Sequence, residues 1–171
     1  MRERPTVRVL LLSPSKRLLM FRYPNRSKSK IPPTCWATAG GGIDPGETIA
    51  QAAAREVLEE TGISGVTLGP VVWHSEDLLH LPDRMILLAE RFMIAHAPNE
   101  DVVTDGWTEQ ERAEISAYHW WSLAEIRTTA EKLYPVGLAR FLPPILEGDY
   151  PAEPLALPPQ FDPAEKNSAG T

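Results

Sequence analysis

The residues with the most chemistry in this chain stand together in Arg55-Glu56-Val57-Leu58-Glu59-Glu60. If this stretch is helical, its three carboxylates share one stripe. With Glu56 as origin, Glu60 falls about 40° to one side and Glu59 about 60° to the other. Like charges so placed repel, by roughly a few tenths of a kcal/mol for an exposed i,i+4 pair and by more once water is withdrawn. A divalent cation reverses that sign. Magnesium prefers oxygen ligands, uses few protein carboxylates, and leaves the other positions to water and phosphate oxygens. The stripe therefore reads either as a solvated acidic face or as one wall of a metal site. On the same wheel Val57, Ala50, Ala54, Thr61 and Leu58 form the expected buried stripe. Ile49, Ala52 and Ala53 lie on the carboxylate side, and the two alanines leave room there for a loop or a phosphate. Arg55 flanks Glu59 within ion-pair reach.

The elements around this stretch are legible from their punctuation. Thr48 and Gln51 have capping-box spacing and Gly62 supplies a stop, which predicts a helix of about Ile49 to Thr61. Before it, Val7 to Leu12 and Arg17 to Tyr23 read as a hairpin around Ser13-Pro14-Ser15. Cys35 to Thr38 reads as a short strand, followed by the glycine run Gly40-Gly41-Gly42 and then by Ile43-Asp44-Pro45-Gly46 as a turn before the helix. Pro24 to Pro33 is a loop carrying Arg26, Lys28 and Lys30. It is either a solvated connection or a cationic flap that meets phosphate by direct charge contact. After the helix, Val66 to His80 and Arg84 to Ala97 form a second hairpin. An acidic loop follows over Pro98 to Thr108, then a helical turn at Glu109 to Glu114. Ile115 to Trp121 reads as a strand, and Ser122 to Glu125 caps a helix to about Thr128. A last helix spans Pro135 to Leu146, kinked or restarted at Pro143-Pro144. The order β-β-β-α-β-β-β-α-α predicts an α/β fold with a mixed, partly antiparallel sheet and not a doubly wound one. It occupies residues 1–147, with a Pro-rich tail or docking arm over 148–171.

The spacing continues beyond the helix. Gly41 precedes Glu47 by five residues, and seven more lead to Arg55-Glu56-Val57. One residue then leads to Glu59-Glu60, and one more to Gly62-Ile63. This resembles the signature of the Nudix hydrolases, the MutT-like family, at every specified position. A chance match is on the order of 1 in 10⁷ at average residue frequencies. The signature covers only Gly41 to Ile63. The surrounding strand order, and Trp120-Trp121-Ser122-Leu123 ahead of a helix, also resemble the Nudix α/β/α sandwich.

The resemblance implies a Mg²⁺-dependent enzyme, with Mn²⁺ as a substitute. It would cut a phosphoanhydride bond of a nucleoside triphosphate or of a nucleoside diphosphate linked to another moiety. Glu59 and Glu60 match the main metal ligands, Glu56 a residue that binds metal or helps activate water, and the carbonyl of Gly40 a further metal contact. Glu47 and Arg55 match positions that hold the loop against the helix. Gly41 lets the loop approach phosphate closely, and Arg26, Lys28 and Lys30 are the candidate substrate cations. One departure stands out, since Ala39 occupies the place where many members have proline, and looser loop geometry is expected there. In this family the base lies on the helix or on a later loop. The late candidates are Glu109, Glu111 and Glu114, of which Glu111 leads, since Glu111 and Glu114 share one side of a helical turn. His80 and His119 are lesser candidates and are expected to pack or lie on the surface.

Substrate choice is less legible. Family markers for ADP-ribose or dinucleoside polyphosphates fall near Leu79, His80 and Leu81 and are absent. Tyr23, Trp73 and Phe92 could stack on a base, but a core role is expected for each. Two other readings share the fold: a nucleotide sensor that does not cut, which loss of signature carboxylates would favour, and a diphosphate isomerase using Cys35.

Composition sets outer limits. Seventeen basic and 23 acidic residues give a net charge of -6, which argues against a bulk nucleic-acid or membrane-surface binder. The single cysteine excludes an intramolecular disulfide and a structural cysteine–zinc site. No apolar run approaches spanning length. A soluble cytoplasmic protein acting on a small nucleotide is expected, with a homodimer left open.

Overall fold

The computed structural model describes residues 2–25, 32–80 and 83–160. Arg26, Lys28 and Lys30 of the basic loop, Leu81 and Pro82 of the second turn, and the tail past 160 lie outside the described residues, as does the side chain of His80. The elements are β1 (Arg2–Leu12), β2 (Leu18–Pro24), β3 (Thr34–Gly42), α1 (Ile49–Thr61), β4 (Thr67–His80) and β5 (Met85–His96). They continue with α2 (Glu109–Glu114), β6 (Ala117–Trp121), α3 (Leu123–Thr128), β7 (Leu133–Tyr134), α4 (Leu138–Leu146) and β8 (Leu155–Ala156).

The strands form one mixed sheet in the order β6-β2-β3-β1-β5-β4-β8, with β7 beside β3. β1 is its centre. It runs antiparallel to β3 from Thr6↔Gly42 to Val9↔Ala39 and parallel to β5 from Arg2↔Ile86 to Leu12↔His96. The first hairpin differs from expectation. β1 and β2 pair at Leu12↔Leu18, and beyond the turn β3 inserts between them. The second hairpin is a long ladder from Thr67↔His96 to His80↔Met85.

A central strand with a parallel neighbour must bury both faces, and β1 reads that way. Val7, Val9 and Leu11 join one core cluster with Ala52, Ala53 and Val57 of α1. Leu10 and Leu12 join the other, with Ile126 of α3 and Leu138, Leu142 and Ile145 of α4. The result is the expected α/β/α sandwich.

Three local differences matter. β3 runs past the expected end at Thr38 to include the glycine run, so the backbone of the run is held by β1. α4 starts at Leu138 and runs through Pro143 and Pro144. Residues 148–160 do not dangle. β8 pairs in parallel with β4, Leu157 is buried, and the main-chain N–H of Gln160 donates to Asp77 at 3.3 Å. Among the described residues no helix is long and apolar enough to cross a membrane.

Candidate functional site

The site is built where the glycine end of β3 meets α1. Thr48 caps α1 as expected: its Oγ1 accepts from the Gln51 main-chain N–H at 3.1 Å and the Gln51 side chain accepts from Thr48 at 2.9 Å. Gly62 stops it in the left-handed conformation at φ 66°. The helix then offers Arg55 to the loop before it. The Arg55 guanidinium donates to both carboxylate oxygens of Glu47, at 2.8 and 2.9 Å, and to the carbonyl of Gly42 at 3.0 Å. It also donates to Glu56 at 2.9 Å and lies 3.6 Å from Glu59. This two-pronged grip, with the Asp44 main-chain N–H, pulls the Glu47 carboxyl down to about 2. One planar cation thus ties turn, strand end and helix together.

The helix face that turns inward matches the expected stripe only at Val57 and Thr61. Ala50 and Ala54 are exposed and Leu58 is 56% exposed, while Ala52 and Ala53 are buried in the core. The buried set is Ala52, Ala53, Val57, Glu60 and Thr61. The inward direction therefore centres between Glu60 and Val57, and Ala52 and Ala53 leave no room for phosphate because the sheet fills it. Glu60 is only 4% exposed, and its carboxylate accepts a hydrogen bond from the main-chain N–H of Gly40 at 3.1 Å. Burial, then the neighbouring Glu56, push the Glu60 carboxyl well above its ordinary range. Burial also raises Glu56, against the pull of Arg55. Glu59, by contrast, keeps its side chain 53% exposed.

Glycine is required where these groups meet. Gly40 sits at φ 141°, and a Cβ there would run into the Val7 carbonyl; at Gly41 a Cβ would collide with the Glu56 carboxylate.

The acidic loop after β5 reaches the same place. Its residues 98–108 lead into α2, where Thr108 and Glu111 form a capping box. Glu111 and Glu114 are half-buried and Glu109 is exposed, the division that helical spacing predicts. The charge of Glu111 raises the proton affinity of both Glu56 and Glu60. Four carboxylates on two elements thus bear on one region. Trp107, which sequence reasoning passed over, ties the two elements together: its indole N–H donates to the Glu60 carbonyl at 2.7 Å. A lone tryptophan in a polar, acidic loop was the signal available.

The donor set suits a hard, oxygen-seeking cation. Among the described residues no three His, Cys, Asp or Glu side chains already converge as a cage. Magnesium, however, needs few protein carboxylates, and desolvated Glu60 and Glu56 are two whose mutual repulsion a cation would relieve.

Other sequence candidates fall elsewhere. Trp73 and Phe92 are 1% and 2% exposed in the cluster on the α4 side of the sheet, so neither can stack on a base. Tyr23 is half-buried against the α1-side cluster, and burial followed by Glu60 hold its phenol neutral. Cys35 is buried and its thiol is pushed upward by burial, the opposite of an activated thiolate. His119 is exposed and bonds Glu125 at 3.1 Å.

Comparison with known proteins agrees with this geometry. A stretch of 66 residues is 39% identical to an RNA pyrophosphohydrolase of Caulobacter vibrioides, covering 39% of this chain and 36% of that protein. A stretch of 62 residues is 42% identical to the nucleoside triphosphatase NudI of Salmonella agona, covering 36% and 42%. The matched stretches thus span well under half the length of these relatives. Among solved structures, a MutT protein of Methanosarcina mazei superposes with a TM-score of 0.53 at 20% identity, covering 77% of this chain and 85% of that one. An ADP-ribose pyrophosphatase of Streptococcus suis gives 0.54 at 16%, covering 90% and 97%. These two likenesses establish the fold. The NUDIX domain model matches residues 2–143, and the chain belongs to the Nudix family.

Proposed function

We propose that this protein hydrolyses a phosphoanhydride bond of a nucleoside triphosphate, or of a nucleoside diphosphate joined to another group, with a divalent cation. The observation that carries the reading is the inward-facing, desolvated pair Glu56 and Glu60, with Glu111 brought beside it from a separate element. A fold that only needed α1 for packing would not bury carboxylates in preference to Leu58.

Glu56, Glu59, Glu60 and the carbonyl of Gly40 would hold Mg²⁺ or Mn²⁺. When bound, the cation neutralises phosphate charge and lowers the pKa of coordinated water. The remaining work falls to the chain. Arg55 fixes the loop carrying Gly41 and Gly42 against the helix, so the glycine end of β3 presents main chain rather than side chains to the phosphates. Glu111, at the start of α2, accepts the proton of the attacking water. Arg26, Lys28 and Lys30 would supply positive charge to the phosphates. One relative is named an RNA pyrophosphohydrolase and another a nucleoside triphosphatase, which supports a nucleotide-linked phosphoanhydride and no narrower substrate.

The test is a phosphate-release screen over nucleoside triphosphates and nucleotide-linked diphosphates with Mg²⁺, alongside Glu59→Gln and Glu60→Gln. Each variant should lose most turnover while keeping a folded melt. Turnover within about threefold of wild type in both would remove the metal-ligand assignment.

A further inference from the structure

Helix α1 ends with carbonyls that have no partner within the helix. The chain answers this need from the acidic loop. The main-chain N–H of Val103 donates to the Thr61 carbonyl at 2.7 Å, and the Trp107 indole N–H donates to the Glu60 carbonyl at 2.7 Å. Contact is closest at Gly106, where a Cβ would stand 2.7 Å from the Glu59 carbonyl oxygen. The Trp107 ring also meets Phe21 of the α1-side core edge-on, with centroids 5.9 Å apart. On its other side the loop is tied to α2. Thr108, next in sequence to Trp107, is the N-cap whose box includes Glu111, and Arg112 donates back to the Thr104 carbonyl at 2.9 Å.

We propose that Trp107 is a positioning residue that sets the distance between Glu111 and the carboxylates of α1. The inference rests on the hydrolase reading above. Three links connect the two ends: Glu60 carries the buried carboxylate, its own carbonyl holds Trp107, and Trp107 adjoins the cap that includes Glu111. Displacement of the indole moves α2 relative to α1, while the Arg55 side of the site has separate supports. The loop thus does two things with one contact. It satisfies the helix end, and it delivers a further carboxylate to those of α1.

Trp107→Phe keeps an aromatic ring for Phe21 and removes the indole donor. Gly106→Ala keeps the indole and wedges the loop off the Glu59 carbonyl. Both are to be made in the wild-type and Glu111→Gln backgrounds, with kcat and KM at saturating Mg²⁺. Each should lower kcat by roughly ten- to a hundredfold, the scale of an ångström-sized misplacement, and leave KM within about twofold. In the Glu111→Gln background each should cost less than about twofold, because the group being positioned is already gone. Amide exchange on the metal-free protein gives a readout independent of turnover: residues 109–114 should exchange roughly fivefold faster in Trp107→Phe, matching one lost hydrogen bond. An equal penalty in both backgrounds, or unchanged exchange in α2, overturns the proposal. Faster exchange in a protein whose wild type cuts no phosphoanhydride would leave the tether standing and remove the hydrolase reading instead.

Discussion

Replacing Glu60 by Gln should stabilise the metal-free protein at neutral pH, against the usual direction for a buried residue. Glu60 is 4% exposed and stands near Glu56 and Glu111, with Arg8 and the Gly40 N–H as partial compensation. Gln keeps the volume and an oxygen to accept from Gly40. The sign follows from linkage. In the unfolded chain the Glu60 carboxyl titrates near its ordinary value of about 4.3. In the folded protein burial, then Glu56, raise it well above. At lower pH both states are protonated and no difference exists. As pH rises past the unfolded value, the unfolded chain releases a proton that the native state still holds. Wild-type stability then falls by about 1.4 kcal/mol per pH unit until the native group ionises. Gln has no such slope. For a domain of this size that is about 3–6 °C of Tm per pH unit inside the window. Thermal melts in EDTA from pH 4 to 8 should show the two curves meeting at the acid end and separating upward, Gln above wild type. Added Mg²⁺ should reverse the order, since at a hundred times Kd a ligand contributes about 2.7 kcal/mol to wild type and little to the variant. Parallel curves across the range, or a variant that melts lower at pH 7 without metal, would refute the desolvated-carboxylate argument.

Three further outcomes are expected. Gly41→Ala should fold, because the atoms its Cβ meets are the mobile end of Glu56, yet lose most turnover as that carboxylate is displaced; a wild-type rate would show that Glu56 has no fixed position to lose. Neutralising Arg26, Lys28 and Lys30 together should raise KM, leave kcat nearly unchanged and shrink in effect with added salt; a fall in kcat at constant KM would place the loop in the transition state. Glu111→Gln should cost roughly ten- to a thousandfold in kcat and Glu109→Gln less; if Glu109, Glu111 and Glu114 all prove silent, Glu56 becomes the base.

The limits of α1 were readable because local chemistry sets them: Thr48 and Gln51 open the helix and Gly62 closes it within the chain's own neighbourhood. Its orientation was not. A helical wheel weighs Leu58 above Glu60, but the sheet sees the opposite, since a site between helix and strand requires carboxylates to face inward. The Glu47–Arg55 contact needed only the signature spacing to be anticipated. Trp73 and Phe92 pack in the core as expected, and the face of the sheet they occupy is what excludes them from stacking on a base. The two-residue strands β7 and β8 are set by tertiary contacts rather than local preference and leave no period to find. The composition of the tail allowed a linker or a docking arm, but the points of docking, Leu157 and Gln160, left no mark in a Pro-rich stretch.

The central strand carries a consequence for synthesis. β1 is made well before its parallel partner β5, which lies about 80 residues downstream, and pairings of that reach are slow to close. At ribosomal rates of about 5–20 residues per second, β1 waits several seconds for its second neighbour. Throughout that interval an apolar strand edge stands open, and α1 has only one flank of its eventual floor. Chains released early, before Met85–His96, would present the unpaired edge of Val7 to Leu12 to one another. Expression yield should therefore depend on what shields that edge during translation more than on the stability of the finished fold.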